Sequence, residues 1–409
     1  MPRAALVLLL HACALLAADG PAPVEVRTTD ELRAAVAKAL PGSTIRLAPG
    51  VYDNLVVDGT LQGRPDAPIV IEGLDPKNPP VVDCAKKRHE GLHFKSCSWL
   101  VVRHIVVKNA ADNGVYVADP ARYERRDDRE ARDTGQSASH HILLEHLTVL
   151  DTGAGGNHDA FKVTFSDYVT VRNCHAEGWG GSAIDVYGAR YVLIEKNRWI
   201  GKPGFKHTMG INIKGYATDA LLRGNYFEHA AQDQTINIGG PHDRGPGAYE
   251  CRRVEVCGNV FVGGGAPCAW LGADGGRFHR NTVVHPGKWF LRIGYRMEYE
   301  GGAFEHNLLV FDSRKMKSPP TSILENLNPK AVLEKFRVRG NAWWDVQNAE
   351  FRPTGLPVAE EAGVYGVDPQ LTALQGPGIR KGSDDARLKD VGAEAYAGPA
   401  YETWHPGPP

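Results

Sequence analysis

The chain has 409 residues and a formal net charge of −1. That balance excludes a strongly basic nucleic-acid binder and leaves any polyanion site to a local patch. One compact core of this length would be unusual, but a structure that grows by stacking repeats accommodates it in a single domain.

Residues 1–20 have the pattern of a secretory leader. Arg3 precedes an apolar run from Ala4 to Leu16, interrupted by His11, and Ala17-Ala18 prepares a cut between Ala18 and Gly20. Lipid attachment at Cys13 is the weaker alternative, because His11 fits such a site poorly. No later stretch is long and apolar enough to span a bilayer, so the expected location is secreted or periplasmic. Six cysteines remain after cleavage: Cys84, Cys97, Cys174, Cys251, Cys257 and Cys268. An even number in an oxidising compartment permits disulfides. Cys84–Cys97 and a bridge within 251–268 are the expected pairs, with Cys174 a buried free thiol. No CxxC pair is present, so the thiols match no zinc module.

Thr28-Thr29-Asp30-Glu31 is a capping box that opens an amphipathic helix over roughly 29–39. GSTIRLAPGVYDN (42–54) then gives a strand, a Pro-Gly turn and a second strand. The helix is placed to cover an otherwise open sheet edge.

From residue 100 onward one phrase recurs nine times: LVVRHIVV, ILLEHLTV, VTVRNCHA, VLIEKNRW, ALLRGNYF, VEVCGNVF, GRFHRNTV, GAFEHNLL and FRVRGNAW. One column through the phrases reads Ile105, Leu147, Cys174, Asn197, Asn225, Asn259, Asn281, Asn307 and Asn341. Its spacing runs from 22 residues (Asn259 to Asn281) to 42 (Ile105 to Leu147), the variable period of a solenoid. Period-2 alternation around the column marks each phrase as a strand with one buried face. Helical repeats are disfavoured by that period and by the frequent turn glycines. Stacked coils place equivalent residues about 4.8 Å apart, so a buried asparagine donates to one neighbour and accepts from the other. These asparagines are therefore structural. Residues 119–139 are charged and nearly without apolar residues, and read as a solvated loop or a lid. The Pro- and Gly-rich tail, 346–409, is expected to cap the stack of 21–345.

A second strand follows each turn: GVYV (114–117), AFKV (160–163), AIDV (183–186), INI (211–213), INI (236–238), WLG (270–272) and FLRI (290–293). With the aliphatics inward, alternation sends Tyr116, Lys162, Asp185, Asn212, Asn237, Leu271 and Arg292 to the outer face. Thr164, Tyr187 and Lys214 lie two residues further along. The bland reading is a solvated sheet face. Against it stand the reactive side chains of the loops above, Asn157-His158-Asp159, Lys206-His207, His229 and Pro241-His242-Asp243-Arg244. Trp179, Trp270 and Trp289 are candidates for stacking on sugar rings or for filling the core.

The whole pattern resembles the right-handed parallel β-helix proteins: all-β, a single-stranded coil with a short N-terminal capping helix. GSTIRLAPGVYDN and the VxIxxNxF-like phrases resemble polysaccharide lyases of the alginate lyase and chondroitinase B kind, and the closing GVDPQL and DARLKDVGA resemble exported relatives of that fold. The resemblance implies an outer-groove site in which a base removes the proton beside a uronate carboxylate and a cation, often calcium, neutralises that carboxylate. Lys214, Lys162, Tyr187, His242 and Arg244 are the candidate catalytic residues. Trp179, Asn212, Asn237 and Arg292 are candidates for holding substrate, and Asp185 and Asp159 for the metal. Some family signatures are missing: the paired acidic calcium motif with a following lysine, the Trp-Ile-Asp-His of pectate lyases and the polygalacturonase set. Pro241-His242-Asp243 is faintly similar to a motif of mannuronan epimerases.

The favoured expectation is a monomeric, exported lyase acting on acidic polysaccharide. The alternatives are a non-catalytic glycan-binding or cell-surface structural protein, or a C5-epimerase or glycoside hydrolase on the same scaffold.

Overall fold

The computed structural model describes residues 21–126, 135–240, 249–294, 301–317, 323–324 and 333–398; the expected leader, 1–20, lies outside them. One coil shows how the chain winds. Asp167–Arg172 lies in a thirteen-stranded sheet, His175–Glu177 in a twelve-stranded sheet and Ser182–Tyr187 in a ten-stranded sheet, and Arg190–Glu195 returns to the first. Every strand of that coil pairs in parallel with its equivalents above and below, as Val171 does with Leu144 and Ile194. The sheets enclose one elongated core. Ile184, Val186, Ile211, Ile213, Ile236 and Ile238 fill it from the ten-stranded sheet, as the alternation requires.

The asparagine column forms a continuous ladder at the turn between the thirteen- and twelve-stranded sheets. The Asn225 Oδ1 accepts both the backbone N–H of Asn197 (3.1 Å) and its Nδ2 (3.0 Å), while Asn225 Nδ2 donates to the Ile194 carbonyl and to Asn259 Oδ1, both at 2.9 Å. The pattern repeats through Asn281 and Asn307 to Asn341. The lower end is sealed by the backbone N–H of Cys174, which donates to Asn197 Oδ1, and the upper end by Glu360, whose Oε1 accepts from Asn341. No amide in this run is left unpaired, which explains how six buried asparagines are tolerated.

A second ladder runs two residues before the asparagines, on the outer face of the thirteen-stranded sheet. In register it reads Arg46, Glu72, Arg103, Glu145, Arg172, Glu195, Arg223, Cys257, His279, Glu305 and Arg339. Glu72 receives Arg46 at 2.9 Å and Arg103 at 2.7 Å, and Glu145 receives Arg103 at 3.3 Å and Arg172 at 2.8 Å. Burial alone would raise the Glu72 and Glu145 carboxyls, but the flanking guanidinium groups outweigh it and hold both below their ordinary value. This alternation is legible in the nine phrases as R, E, R, E, R, C, H, E, R, yet it is hidden from a search for one repeated residue.

The first coil is covered by the helix Thr29–Ala37, which buries Leu32 and Val36. Thr28 Oγ1 accepts the Glu31 N–H, and Glu31 reaches back to the Arg27 N–H, one residue earlier than a capping box would have it. At the other end, the tail lies along the outside of the twelve-stranded sheet, with Val367, Leu388 and Val391 packed on Leu308, Val310 and Ala342. The expected disulfides are not formed. The six cysteines of the described residues are free and buried, five of them in the main core cluster, where burial pushes the thiols of Cys84, Cys97 and Cys174 up to about 12.

Asn225→Ala removes the acceptor of two buried donors on Asn197. It is expected to lower the free energy of unfolding by roughly 1–3 kcal/mol in urea titrations; an unchanged value would remove the ladder from the stability account.

Candidate active site

The outer face of the ten-stranded sheet carries the polar column, in the register Tyr116, Lys162, Asp185, Asn212, Asn237, Ala269, Arg292. Ala269 takes the place expected for Leu271, which lies one pleat further along beside Gly239. Both residues face outward, so alternation chose the face correctly and missed the register by two. Thr164, Tyr187 and Lys214 form the adjacent column, as expected.

Lys162, Asp185 and Lys214 stand on three successive coils. Asp185 lies between two ammonium groups, with Oδ2 3.3 Å from Lys162 Nζ and Oδ1 3.0 Å from Lys214 Nζ. The second contact is an ion pair without hydrogen-bond alignment. Lys162 also donates to Asp159 Oδ2 at 2.9 Å, and the other oxygen of Asp159 accepts the Ser182 backbone N–H at 2.7 Å. That approach needs a small neighbour, since a Cβ at Gly181 would meet Asp159 Oδ1 at 2.7 Å. Above this group, Asn212 Nδ2 donates to Ser182 Oγ and Asn237 Nδ2 to Asn212 Oδ1, each at 2.7 Å. Asn237 Oδ1 is buried and without a hydrogen-bond partner among the described residues.

Burial separates this face from the solvated surface that alternation alone implies. Asp159, Asp185, Asn212 and Asn237 are at most 3 % exposed, while the Lys162 and Lys214 side chains keep 15 % and 14 %. The two lysines are therefore the accessible part of the cluster. Burial alone would lower the Lys162 pKa, but the Asp159 and Asp185 carboxylates outweigh it and raise it. That shift favours the ammonium form of Lys162. Asp159 is shifted as well: burial first, then the charge of Asp185, push its carboxyl up to about 6.

Other expectations are redistributed. Trp179 is fully buried, its indole N–H donating to the Met209 carbonyl, and Trp270 is equally buried; both fill the core and offer no face to a sugar. His207 is buried too, with Nε2 accepting the Lys202 N–H. Arg292 keeps its place in the column, two coils from Asn237 with Ala269 between, roughly 10 Å away at the ordinary strand spacing. Tyr187 packs edge-on against Phe165 and beside Tyr123. His242 and Arg244 lie outside the described residues. Asp159 and Asp185, the residues expected to hold a metal, have oxygens engaged by ammonium groups and a backbone N–H. The 119–139 segment is less solvated than its composition suggests. Arg122 is buried against Asp167 at 3.1 Å, and Asp119, Ser137 and Ser139 are buried with it; residues 127–134 lie outside the description.

A family model described as the right-handed β-helix region matches residues 90–287. The chain is a right-handed parallel β-helix. It is similar to an alginate lyase from Paenibacillus sp. str. FPU-7 (16% identity, 74% of this chain and 97% of that one, TM-score 0.49). It is also similar to a PL6 family polysaccharide lyase from Pseudopedobacter saltans (12%, 91% and 99%, 0.45) and to endopolygalacturonase I from Stereum purpureum (13%, 74% and 89%, 0.45). No curated protein matches the chain. Among the described residues, no helix of this β-helix is long and apolar enough to cross a membrane.

The folded value of Asp159 lies above its ordinary 3.8, so this group contributes stability that is whole below about pH 3.8 and is lost as pH rises through about 6. Carbon NMR titration of the Asp159 carboxyl is expected to show the raised midpoint. Asp185→Asn removes the neighbouring charge and should bring the midpoint down towards the ordinary range; an unmoved midpoint would show that the two carboxyls do not interact.

Proposed function

We propose that this β-helix acts on an acidic polysaccharide laid across the outer face of the ten-stranded sheet, as a β-eliminating lyase. The observation that carries this reading is the pair of accessible lysines on one buried aspartate, Lys162–Asp185–Lys214. A proton beside a uronate carboxylate is removed only if the developing enolate charge is stabilised. Lys162, kept cationic by two carboxylates, supplies that charge. Lys214 contacts one carboxylate among the described residues and shares it with Lys162, so it is the lysine assigned as base.

Lys214 takes the C5 proton, the electron pair forms the C4–C5 double bond, and the C4–O bond breaks. The leaving oxygen takes its proton from Tyr187, which is in register with Lys214 on the neighbouring coil. Arg292 extends the binding face along the column, beyond the buried amides of Asn212 and Asn237. Calcium, expected from the resemblance, is not assigned a step; the neutralisation it would supply falls to the lysines. The reading includes export through residues 1–20 and action as a monomer.

One observation favours a glycan-holding protein without turnover: the cluster is already internally neutralised, with Asp185 ion-paired to both lysines. Ultraviolet absorbance of the unsaturated uronate product, followed over alginate, pectate, chondroitin and heparin, separates the two. The lyase reading expects a rising signal on at least one of them. Lys214→Ala should then lower turnover by about 100- to 10,000-fold, with the thermal midpoint nearly unchanged. A flat trace on every substrate, with the glycan still retained in affinity electrophoresis, would leave the binding reading in its place.

A further inference from the structure

The Glu–Arg alternation on the thirteen-stranded sheet is interrupted on two successive coils, where Cys257 stands next to Arg223 and His279 next to Glu305. Glu255 lies two residues before Cys257 on the same strand and therefore on the same face. Its Oε1 is 2.7 Å from His279 Nε2, and one ligand atom from each of Glu255, Cys257 and His279 falls within 4.8 Å of the other two. Cys257 is 0 % and His279 4 % exposed, beneath Tyr396, which packs on the Cys257 cluster and whose ring lies edge-on to His279 at 6.2 Å. The imidazole is incompletely satisfied: Nδ1 is buried with no hydrogen-bond partner among the described residues.

We propose that Glu255, Cys257 and His279 bind a zinc-class divalent cation that clamps two adjacent coils beneath the C-terminal segment. A thiolate, an imidazole and a carboxylate form a borderline-soft donor set that suits zinc and excludes the oxygen-seeking cations calcium and magnesium. The charge also fits. A dication with one thiolate and one carboxylate is neutral overall, between Arg223 on one side and Glu305 on the other. Burial pushes the free thiol up to about 12, so without a cation Cys257 keeps its proton and the ladder has no charge there. On binding, that proton passes to solvent.

Tetrahedral zinc places its donor atoms about 3.5 Å apart, from bond lengths of roughly 2.0–2.3 Å. The widest separation therefore closes by at most about 1.3 Å, while the Glu255–His279 pair, now at 2.7 Å, opens by about 0.8 Å. The cation also displaces Glu255 from its ion pairs with His279 and Arg277. Linear cysteine spacing gave no hint of such a site, because its ligands come from neighbouring coils.

The test is cobalt(II) titration of the reduced, full-length protein. The expected result is a thiolate-to-cobalt charge-transfer band that saturates at one equivalent and is removed by zinc. Cys257→Ser should abolish the band. Glu255→Gln, on the more accessible ligand, should weaken cobalt binding at least ten-fold and serves if Cys257→Ser does not fold. Zinc should also raise the thermal midpoint of the unmodified protein, and chelator should reverse it. Absence of the band at equimolar cobalt, or its persistence in Cys257→Ser, would overturn the site whatever the protein does to glycans.

Discussion

Parallel, in-register stacking brings each side chain within about 4.8 Å of its equivalents on the coils above and below. A residue in this fold is therefore solvated, packed or neutralised mainly by its own column. The inward columns solve this with aliphatic and aromatic stacks, such as Phe227 on Phe261 at 4.7 Å. The polar columns have a harder problem, because like charges repeated at that spacing repel and unpaired amides are costly. The asparagine column solves it with a side chain that both donates and accepts. The column two residues earlier solves it by alternating sign.

The proposed active face uses the second solution over a shorter stretch. Lys162 and Asp185 alternate in sign on neighbouring coils, Lys214 reaches Asp185 from the adjacent column, and the Asp185 column continues as the amide chain of Asn212 and Asn237. Asp159 adds a fourth charge from outside the register, and burial and the neighbouring Asp185 carboxylate raise its carboxyl above the ordinary value. The lysines therefore differ in kind. Lys162 is fixed as a cation by two carboxylates, while Lys214 is held by one that it shares. That asymmetry, rather than the presence of lysine, supports separate roles for them.

Those features that rest on identity or on period 2 were legible in the sequence. Asn197 to Asn341 repeat one residue at one place, and Ile184, Ile211 and Ile236 fix which neighbours face outward. What depends on phase between coils was less so. Ala269 and Leu271 occupy the same face, so alternation cannot distinguish them; the pairing of Ile238 with Trp270 decides. The Glu–Arg ladder was present in the phrases but carries no repeated letter. Burial of Asp185 and Asn237 was also out of reach, because cover from outside a strand leaves no trace in its own pattern. Trp179 shows the same limit, since a loop tryptophan reads alike whether it meets sugar or core.

The position of Cys257 and His279 follows from the parity of an alternating column. Replacing a single charge by a neutral residue would leave two like charges flanking it. Replacing two in succession keeps the phase, so that Arg223 before the gap and Glu305 after it remain opposite in sign, and Arg339 continues the series. The gap is thus the smallest neutral insertion the ladder accepts. Its two residues also fall where the alternation calls for an anion and then a cation, and a cysteine and a histidine are the pair able to serve as such a couple or to share a metal ion. Glu255 on the same face adds the third donor that a metal ion requires, and a dication balances its charge together with that of a Cys257 thiolate.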